Sequence, residues 1–370
     1  MLLVGTGIRT YMGIDRENGA MRSTIKEVSI LAGVSVTTVS RVLNKEPYVK
    51  VQTRDRVEAA IAELAFRPSV AARALAGQKS FQIALLYDNP SPYYIYNIQS
   101  GARAHCVERG FRVVFQECDV TNPDIGAEIA GLLDETHLDG VILSPPVSDS
   151  AAVIAELQRR GIAFVRIAPG ADLSISPYVY MHDEVAAEEV TDHLVGLGHR
   201  LIGFIIGHPD HVSSGQRLSG FRRALARHAI PEEPQWVIQG QFDFQSGYEA
   251  GRTMLRGARR PTAIFASNDD MAAGVLTAAH ELGLAVPDDV AIAGFDDTDL
   301  ARLVWPPLTT IRQPSRALAY AAAKMLIDAT ETAGLRLEHE LIVRGSTLAA
   351  ARPVAVVLPD GRANTLKTQA

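Results

Sequence analysis

Several short stretches of the chain place hydrogen-bonding or aromatic side chains directly after apolar runs. Asp88-Asn89-Pro90-Ser91-Pro92-Tyr93-Tyr94 follows FQIALLY, and Ser213-Ser214-Gly215-Gln216-Arg217 opens a helical stretch. Phe242 follows WVIQG, Asn268-Asp269 follows TAIFAS, and Asp296-Asp297 follows VAIAGF. Arg, Asp and Asn can each hold two adjacent hydroxyls through paired donors or acceptors, while flat aromatic rings cover the apolar face of a sugar ring. Tyr93, Tyr94, Asp183, Arg217, Phe242, Asn268 and Asp296 are therefore candidates for a polyol site. One Arg against Asp296, Asp269 and Asp183 favours a neutral sugar or glycoside over a sugar phosphate. The same residues also have plainer uses. Asp183, Asn268 and Asp296 could cap helices, Arg217 could pair with a surface acid, and the tyrosines could belong to a core.

A second chemistry sits near the N-terminus, in AGVSVTTVSRVLN. Thr24-Ile25-Lys26-Glu27 has the form of a capping box and opens a helix that Gly33 ends. Ser35 then caps a second helix from Val36 to about Leu43. Two short helices joined by a Gly-containing turn make a helix-turn-helix. Val39, Val42 and Leu43 recur at helical spacing toward the first helix, which leaves Val36, Thr37 and Arg41 on the other side. Four β-branched residues in a row, Val36 to Val39, are poor choices for helix stability. They suit a helix whose first turn meets base edges in the major groove, where short side chains with methyls and hydroxyls approach closely. The candidate DNA contacts are Thr24, Ser35, Val36, Thr37, Thr38, Ser40, Arg41 and Asn44. A third helix is expected from Thr53 to about Phe66, striped by Val57, Ile61 and Leu64. Beyond Pro68, a short Ala-rich segment carries Arg73, Leu75 and Ala76 and is too small to bury a core of its own. It fits two copies packed together with Leu75 pushed between base pairs from the minor groove. It also fits an interdomain linker.

Charge divides the chain along the same line. Residues 21–80 hold ten Lys and Arg against five Asp and Glu, whereas residues 81–370 hold 24 against 35. A basic module on an acidic body is the footprint of a nucleic-acid-binding head. A length of 370 residues, 47% of them hydrophobic, implies two or three globular domains. No run approaches the roughly 20 apolar residues of a membrane span, and the N-terminus lacks signal-peptide features. Cys106 and Cys118 form neither a metal pattern nor a disulfide framework, as in a reducing cytoplasm, where the protein is expected to reside.

TIKEVSILAGVSVTTVSRVLN, followed by the third helix and RPSVAARALAGQKS, resembles the DNA-binding head and hinge of the lactose and galactose repressor family. The similarity runs through nearly all of residues 22–349. It implies base-reading positions at Val36, Thr37 and Arg41, a minor-groove wedge at Leu75 with Ala76 beside it, and effector contacts at Tyr94, Arg217, Phe242, Asn268 and Asp296. It also implies a homodimer on a palindromic operator, since residues 351–370 lack a heptad-patterned helix. Three positions depart from the pattern. Lys50 stands where a Ser or Thr cap is usual, Ser91-Pro92 replaces Asn-Pro, and Ile167-Ala168 replaces Asp-Arg, with Arg166 displaced. The last change predicts an effector that is larger or less polar on that side than a simple monosaccharide. Met21 sits where such proteins usually begin, so residues 1–21 are expected to lie outside the functional unit.

From Phe81 onward, apolar strands alternate with helical segments, the pattern of parallel sheets covered by helices. The expected fold is an all-α helix-turn-helix head (22–67), a hinge (68–80), a body (81–349) of two doubly wound lobes of periplasmic-binding-protein type I, and a disordered tail (350–370). Ligand would sit in the cleft at the strands' carboxyl ends. Enzymatic motifs are missing from the sequence. GTGIRTYMG lacks the third glycine and the preceding strand of a dinucleotide fingerprint, and neither P-loop, HExxH nor GxSxG occurs. No cofactor or metal is expected. The alternative to a regulator is a sugar-binding protein with no DNA role, which would lack residues 22–80.

Overall fold

The computed structural model describes residues 23–43, 46, 48–66, 79–329, 333–348, 355–357 and 363–365. The chain divides into two compact units between Ser80 and Phe81.

In the first unit, α1 (Ile25–Ala32), α2 (Val36–Leu43) and α3 (Val51–Glu63) enclose a core of Val28, Ala32, Val39, Val42, Val57, Ala60 and Phe66. The capping box at Thr24 is formed. Thr24 Oγ1 accepts from the Glu27 amide at 3.3 Å, and Glu27 Oε2 accepts from the Thr24 amide at 2.6 Å. Gly33 closes α1 at φ 62°, a left-handed conformation that costs glycine little. Ser35 Oγ accepts from the Thr38 amide at 3.1 Å, capping α2. The third helix starts at Val51 rather than Thr53 and stops at Glu63 rather than Phe66. Ala65, at φ 46°, turns the chain out of the helix before Phe66. Lys50 occupies the N-cap of α3 with no side-chain cap bond, consistent with its departure from the usual Ser or Thr.

The second unit holds two lobes. In lobe 1 the strands β1 (Gln82–Tyr87), β2 (Arg112–Glu117), β3 (Gly140–Leu143), β4 (Phe164–Ile167) and β5 (Tyr178–Tyr180) lie parallel. In lobe 2 the parallel strands are β6 (Ile202–Ile206), β7 (Val237–Gln239), β8 (Ala263–Ala266) and β9 (Ala291–Ala293), ordered β7-β6-β8-β9. Beyond them come β10 (Thr310–Arg312), β11 (Gly334–Arg336) and β12 (Glu340–Ile342). β11 extends the lobe 1 sheet, whose order is β11-β5-β4-β3-β1-β2, and β10 pairs antiparallel with β12.

Helices cover both faces of each sheet. Lobe 1 has α4 (Pro92–Arg109), α5 (Ile125–Glu135) and α6 (Ala151–Arg160). Lobe 2 has α7 (Asp183–Gly196), α8 (Val212–Arg227), α9 (Phe244–Leu255) and α10 (Asp269–Glu281), with the single turn α11 (Leu300–Leu303). The chain then returns to lobe 1 as α12 (Ser315–Asp328). Strands such as Gly140–Leu143 and Ala263–Ala266 are buried throughout, as central parallel strands must be when both faces are covered. Phe204 stacks on Phe221 at 4.8 Å and meets Phe265 edge-on at 5.1 Å at the centre of lobe 2.

The chain passes between the lobes three times, after β5, after β10 and after β11. Within residues 350–370, expected as a disordered tail, β13 (Ala355–Val357) and β14 (Ala363–Thr365) pair as an antiparallel ribbon. The segments 1–21 and, apart from Lys79 and Ser80, the hinge 68–80 lie outside the described residues.

Candidate effector site and nucleic-acid interface

The strands of both lobes end at a common cleft. β1 leads through Asn89 and Ser91 into α4, whose first turn carries Tyr94, and β4 ends at Ile167 with Ala168 beyond it. From lobe 2 come Arg217 on α8, Phe242 after β7, Asn268 after β8 and Asp296 after β9. Asp183 starts α7 immediately after a crossing, and Gln313 lies on another. Together with Pro145, Met181, His211, Ser213 and Leu318, these residues line one pocket.

Arg217 organises it. Only 4% exposed, it donates from Nε to Asp183 Oδ1 at 2.8 Å and from Nη1 to the Ser267 carbonyl at 2.6 Å. Its Nη2 also lies 2.8 Å from Asp183 Oδ1, and its guanidinium sits over the Phe295 ring at 3.7 Å. A buried charge needs partners of this kind. Asp296 is held more loosely. Its Oδ1 is 3.9 Å from Arg217 Nη1 and accepts from Gln313 Nε2 at 3.5 Å. Burial raises its pKa well above the ordinary carboxylate range, Arg217 opposes that rise, and the nearby Asp269, Asp270 and Asp183 add to it. Asp296 is thus a buried acceptor with unused capacity, the property required to receive ligand hydroxyls.

Burial, with Asp296 and Asp183 nearby, also raises the Tyr94 pKa, so the phenol is a neutral donor. His211, packed edge-on against Phe242 at 5.2 Å, is pushed down to about 3 by burial, then by His208 and Arg217, and is uncharged at neutral pH. The acidic and basic side chains left in the pocket lining are then one Arg and two Asp, Asp296 being the one whose charge burial opposes. Phe242 (φ 60°), Asp296 (φ 115°) and Ala168 (φ 43°) all have left-handed backbones, a form of strain that clusters at ligand sites. Gly207 makes room for the aromatic wall, since a Cβ there would lie 2.1 Å from Phe242 Cζ.

Of the seven residues expected from sequence, six line this pocket: Tyr94, Asp183, Arg217, Phe242, Asn268 and Asp296. Tyr93 does not, because it points from the adjacent helical position and is half-buried elsewhere. Asn268 has the plainer use as well. Its Oδ1 caps α10 by accepting from Met271 N at 2.9 Å, and its Nδ2 donates to the Phe242 carbonyl at 2.8 Å. Asp269 is wholly buried outside the pocket, accepting from Thr310 Oγ1 and from the Thr298 amide and hydroxyl. Its carboxylate does not line the pocket and is taken up by these bonds. His211, Met181, Gln313 and Leu318 were not expected. His211 lies at the N-cap of α8, six residues before Arg217 and on the side of α8 that faces the cleft.

In the head, α2 turns Val39 and Val42 inward and leaves Val36, Thr37 and Arg41 exposed, with Val36 at 42%. Thr38 and Ser40 are half-buried, and the Thr38 hydroxyl is paired with Ser35 Oγ at 2.9 Å. Thr24 serves the capping box. Arg41 lies 3.7 Å from Glu46. Asn44, Arg73, Leu75 and Ala76 lie outside the described residues.

Comparison with known proteins places these two regions together. Residues 24–69 match the family described as bacterial regulatory proteins, lacI family, and residues 191–347 match the periplasmic binding protein-like domain. The chain is 34% identical over 337 residues to the HTH-type transcriptional regulator DegA of Bacillus subtilis, covering 88% of this chain and 98% of that protein. It is 34% identical over 318 residues to the HTH-type transcriptional repressor PurR of Pectobacterium carotovorum, covering 83% of this chain and 90% of that one. Among solved structures, the lac repressor dimer bound to operator and the anti-inducer ONPF aligns with a TM-score of 0.72 at 29% identity, covering 89% of this chain and 100% of that one. The CelR–cellobiose complex aligns with a TM-score of 0.67 at 31% identity, covering 88% and 100%. With the helix-turn-helix and the two-lobed cleft built from its own residues, this chain belongs to the lacI family of DNA-binding transcriptional regulators with an effector-binding body.

Proposed function

We propose that the chain acts as a homodimeric repressor on a two-fold symmetric operator, released or recruited by a neutral sugar or glycoside bound between the lobes. In this reading Val36, Thr37 and Arg41 read base edges, and Leu75 wedges the minor groove beside Ala76 and Arg73. Two heads related by a dyad call for two inverted half-sites. The observation that carries the effector reading is the Arg217–Asp183–Asp296 group, buried beside Phe242 and Tyr94. It offers both donors and acceptors, yet its cation is already neutralised, so a phosphate would meet carboxylates without a free counter-charge. We read the cleft as a binding site and not a catalytic one. Effector works through its different affinity for two lobe arrangements, which the three crossings transmit. The test is a thermal-shift screen of the full chain against sugars, glycosides and sugar phosphates, since a ligand bound to the folded state raises its melting point. Stabilisation by neutral members supports the reading. Stabilisation by the phosphates over their neutral parents overturns it.

A further inference from the structure

The two lobes keep separate interiors. Among the described residues, no buried apolar cluster draws on both: Ile98, Ile142 and Leu86 belong to clusters of lobe 1, and Phe204, Ile264 and Met271 to those of lobe 2. Bodies joined without a large shared apolar interface move against each other by default. The cleft is nonetheless shut. Tyr94 of lobe 1 and Arg217, Phe242, Asn268 and Asp296 of lobe 2 are each at most 8% exposed, so a molecule reaches them only when the lobes part.

Two contacts from lobe to lobe flank the pocket. Ser91, the N-cap of α4, is 2% exposed and donates from Oγ to Asp270 Oδ2, in the first turn of α10, at 2.6 Å, the length of a hydroxyl bonded to a carboxylate. Neighbours fix both ends. Asn89 Oδ1 accepts from the Ser91 amide at 2.8 Å, and Asn268 Nδ2 donates to Asp270 Oδ2 at 3.4 Å. Gly170, in the loop after β4, packs against Val212 at the start of α8, so tightly that a Cβ would lie 2.5 Å from Val212 Cγ2. That loop is held from within lobe 1. Asp149 Oδ1 accepts from the Gly170 amide at 2.9 Å. Arg166, 1% exposed, donates from Nε to Ser176 Oγ at 3.0 Å, from Nη1 to the Ala171 carbonyl at 3.0 Å and from Nη2 to the Asp172 carbonyl at 2.7 Å.

We infer that the Ser91–Asp270 bond is a latch that holds the lobes closed over the pocket before any effector binds. It sits among the lining residues, with Ser91 itself and Asn89 on one side and Asn268, two residues before Asp270, on the other. When the lobes part, hydroxyl and carboxylate return to water, so the latch contributes its surplus over hydration, about tenfold or more in the ratio of closed to open chain. An effector then shifts the lobes against this bias through its different affinity for the two arrangements, whatever its chemistry.

Pulsed electron spin resonance of the effector-free full chain tests this. Spin labels on Asp124→Cys and Gln241→Cys, both exposed and following the edge strands β2 and β7, report the distance across the cleft, while the native Cys106 and Cys118 are buried. Mixing with excess unlabelled chain leaves at most one labelled protomer in each dimer. The wild type should show mainly one short distance. Ser91→Ala and Asp270→Ala should each raise the ratio of long to short distances about tenfold, and the double variant should go no further, since both remove the same bond. Asp270→Ala leaves Ser91 in place as the cap of α4, so loss of that cap cannot account for its effect. Unchanged distances in either variant, a double variant more open than both, or a wild type already at the long distance overturns the latch.

Discussion

The head and the body keep the side chains proposed to meet their partners in opposite environments. In the head, Val36, Thr37 and Arg41 stand on the outer side of a helix whose inner side is closed by Val39 and Val42. In the body, Arg217, Asp183, Asn268 and Asp296 are each at most 8% exposed and bonded mainly to the protein itself. The difference follows from the partner. A groove wall is wide and wet, and it is met by projecting side chains, while a small molecule must be wrapped to gain enough contact. It also has a consequence for mutation. Head positions separate function from stability, whereas body positions carry both.

The largest expected effect is on Arg217. Arg217→Ala leaves Asp183 and Asp296 buried without their cation, and breaking a buried pair in this way costs about 3–5 kcal/mol. Denaturant unfolding monitored from the body should register that loss, while Arg41→Ala in the head should stay within about 0.5 kcal/mol. Equal costs at the two positions would break the contrast.

Asp296 sharpens it, because here function and stability should move in opposite directions. Its raised pKa lies above that of the unfolded chain. The stability linked to the neutral acid is therefore present below the unfolded pKa and lost as pH rises through the folded one. At pH 8 Asp296→Asn should melt no lower than the wild type and, on this sign, higher. Its affinity for a sugar or glycoside found in the screen should nonetheless weaken by about 1–3 kcal/mol, the scale of a buried hydrogen-bond partner lost. Undiminished affinity by calorimetry would place the ligand elsewhere.

His211 has the reverse sign. Its folded pKa, about 3, lies below the ordinary value of 6.5. The unfolded chain therefore gains a proton as pH falls below about 6.5, while the folded chain does not. Stability should fall by about 1.4 kcal/mol per pH unit between about 6 and 4 on account of this residue. His211→Leu should remove that component, measured as a smaller drop in stability over the same range relative to the wild type.

Much of this arrangement is legible in the sequence, for identifiable reasons. Central strands such as Ile83–Leu86 and Ile202–Ile205 are buried on both faces and read as unbroken apolar runs. The residues directly after them, Asn268 and Asp296 among them, stand out because they are polar where the run stops. The head is legible because Thr24, Gly33 and Ser35 act locally, through bonds to residues three or four positions away. By contrast, Tyr178–Tyr180 and Gly334–Arg336 are three-residue strands with no period to detect, and they form because the first pairs with β4 and the second with the first. The roles of Arg166 and Asp269 were hidden for a similar reason. Whether a charged residue at a strand end faces ligand or protein depends on loops far away in sequence, Ser176 and Asp172 for one, Thr298 and Thr310 for the other. The Tyr93–Tyr94 pair likewise does not reveal which ring enters the pocket.

The central claim, a head that reads DNA through α2 without depending on those side chains for its fold, is tested most directly by selection from a random pool of duplex DNA. The full chain and its Thr37→Ala variant would be compared at one fixed salt concentration, because phosphate contacts make affinity salt-dependent. The expected outcome is an enriched motif of two inverted half-sites, a changed base preference at one position of each half-site in Thr37→Ala, and melting points within the small range of surface substitutions. Failure to enrich any motif, or the same motif from both proteins, would contradict the account.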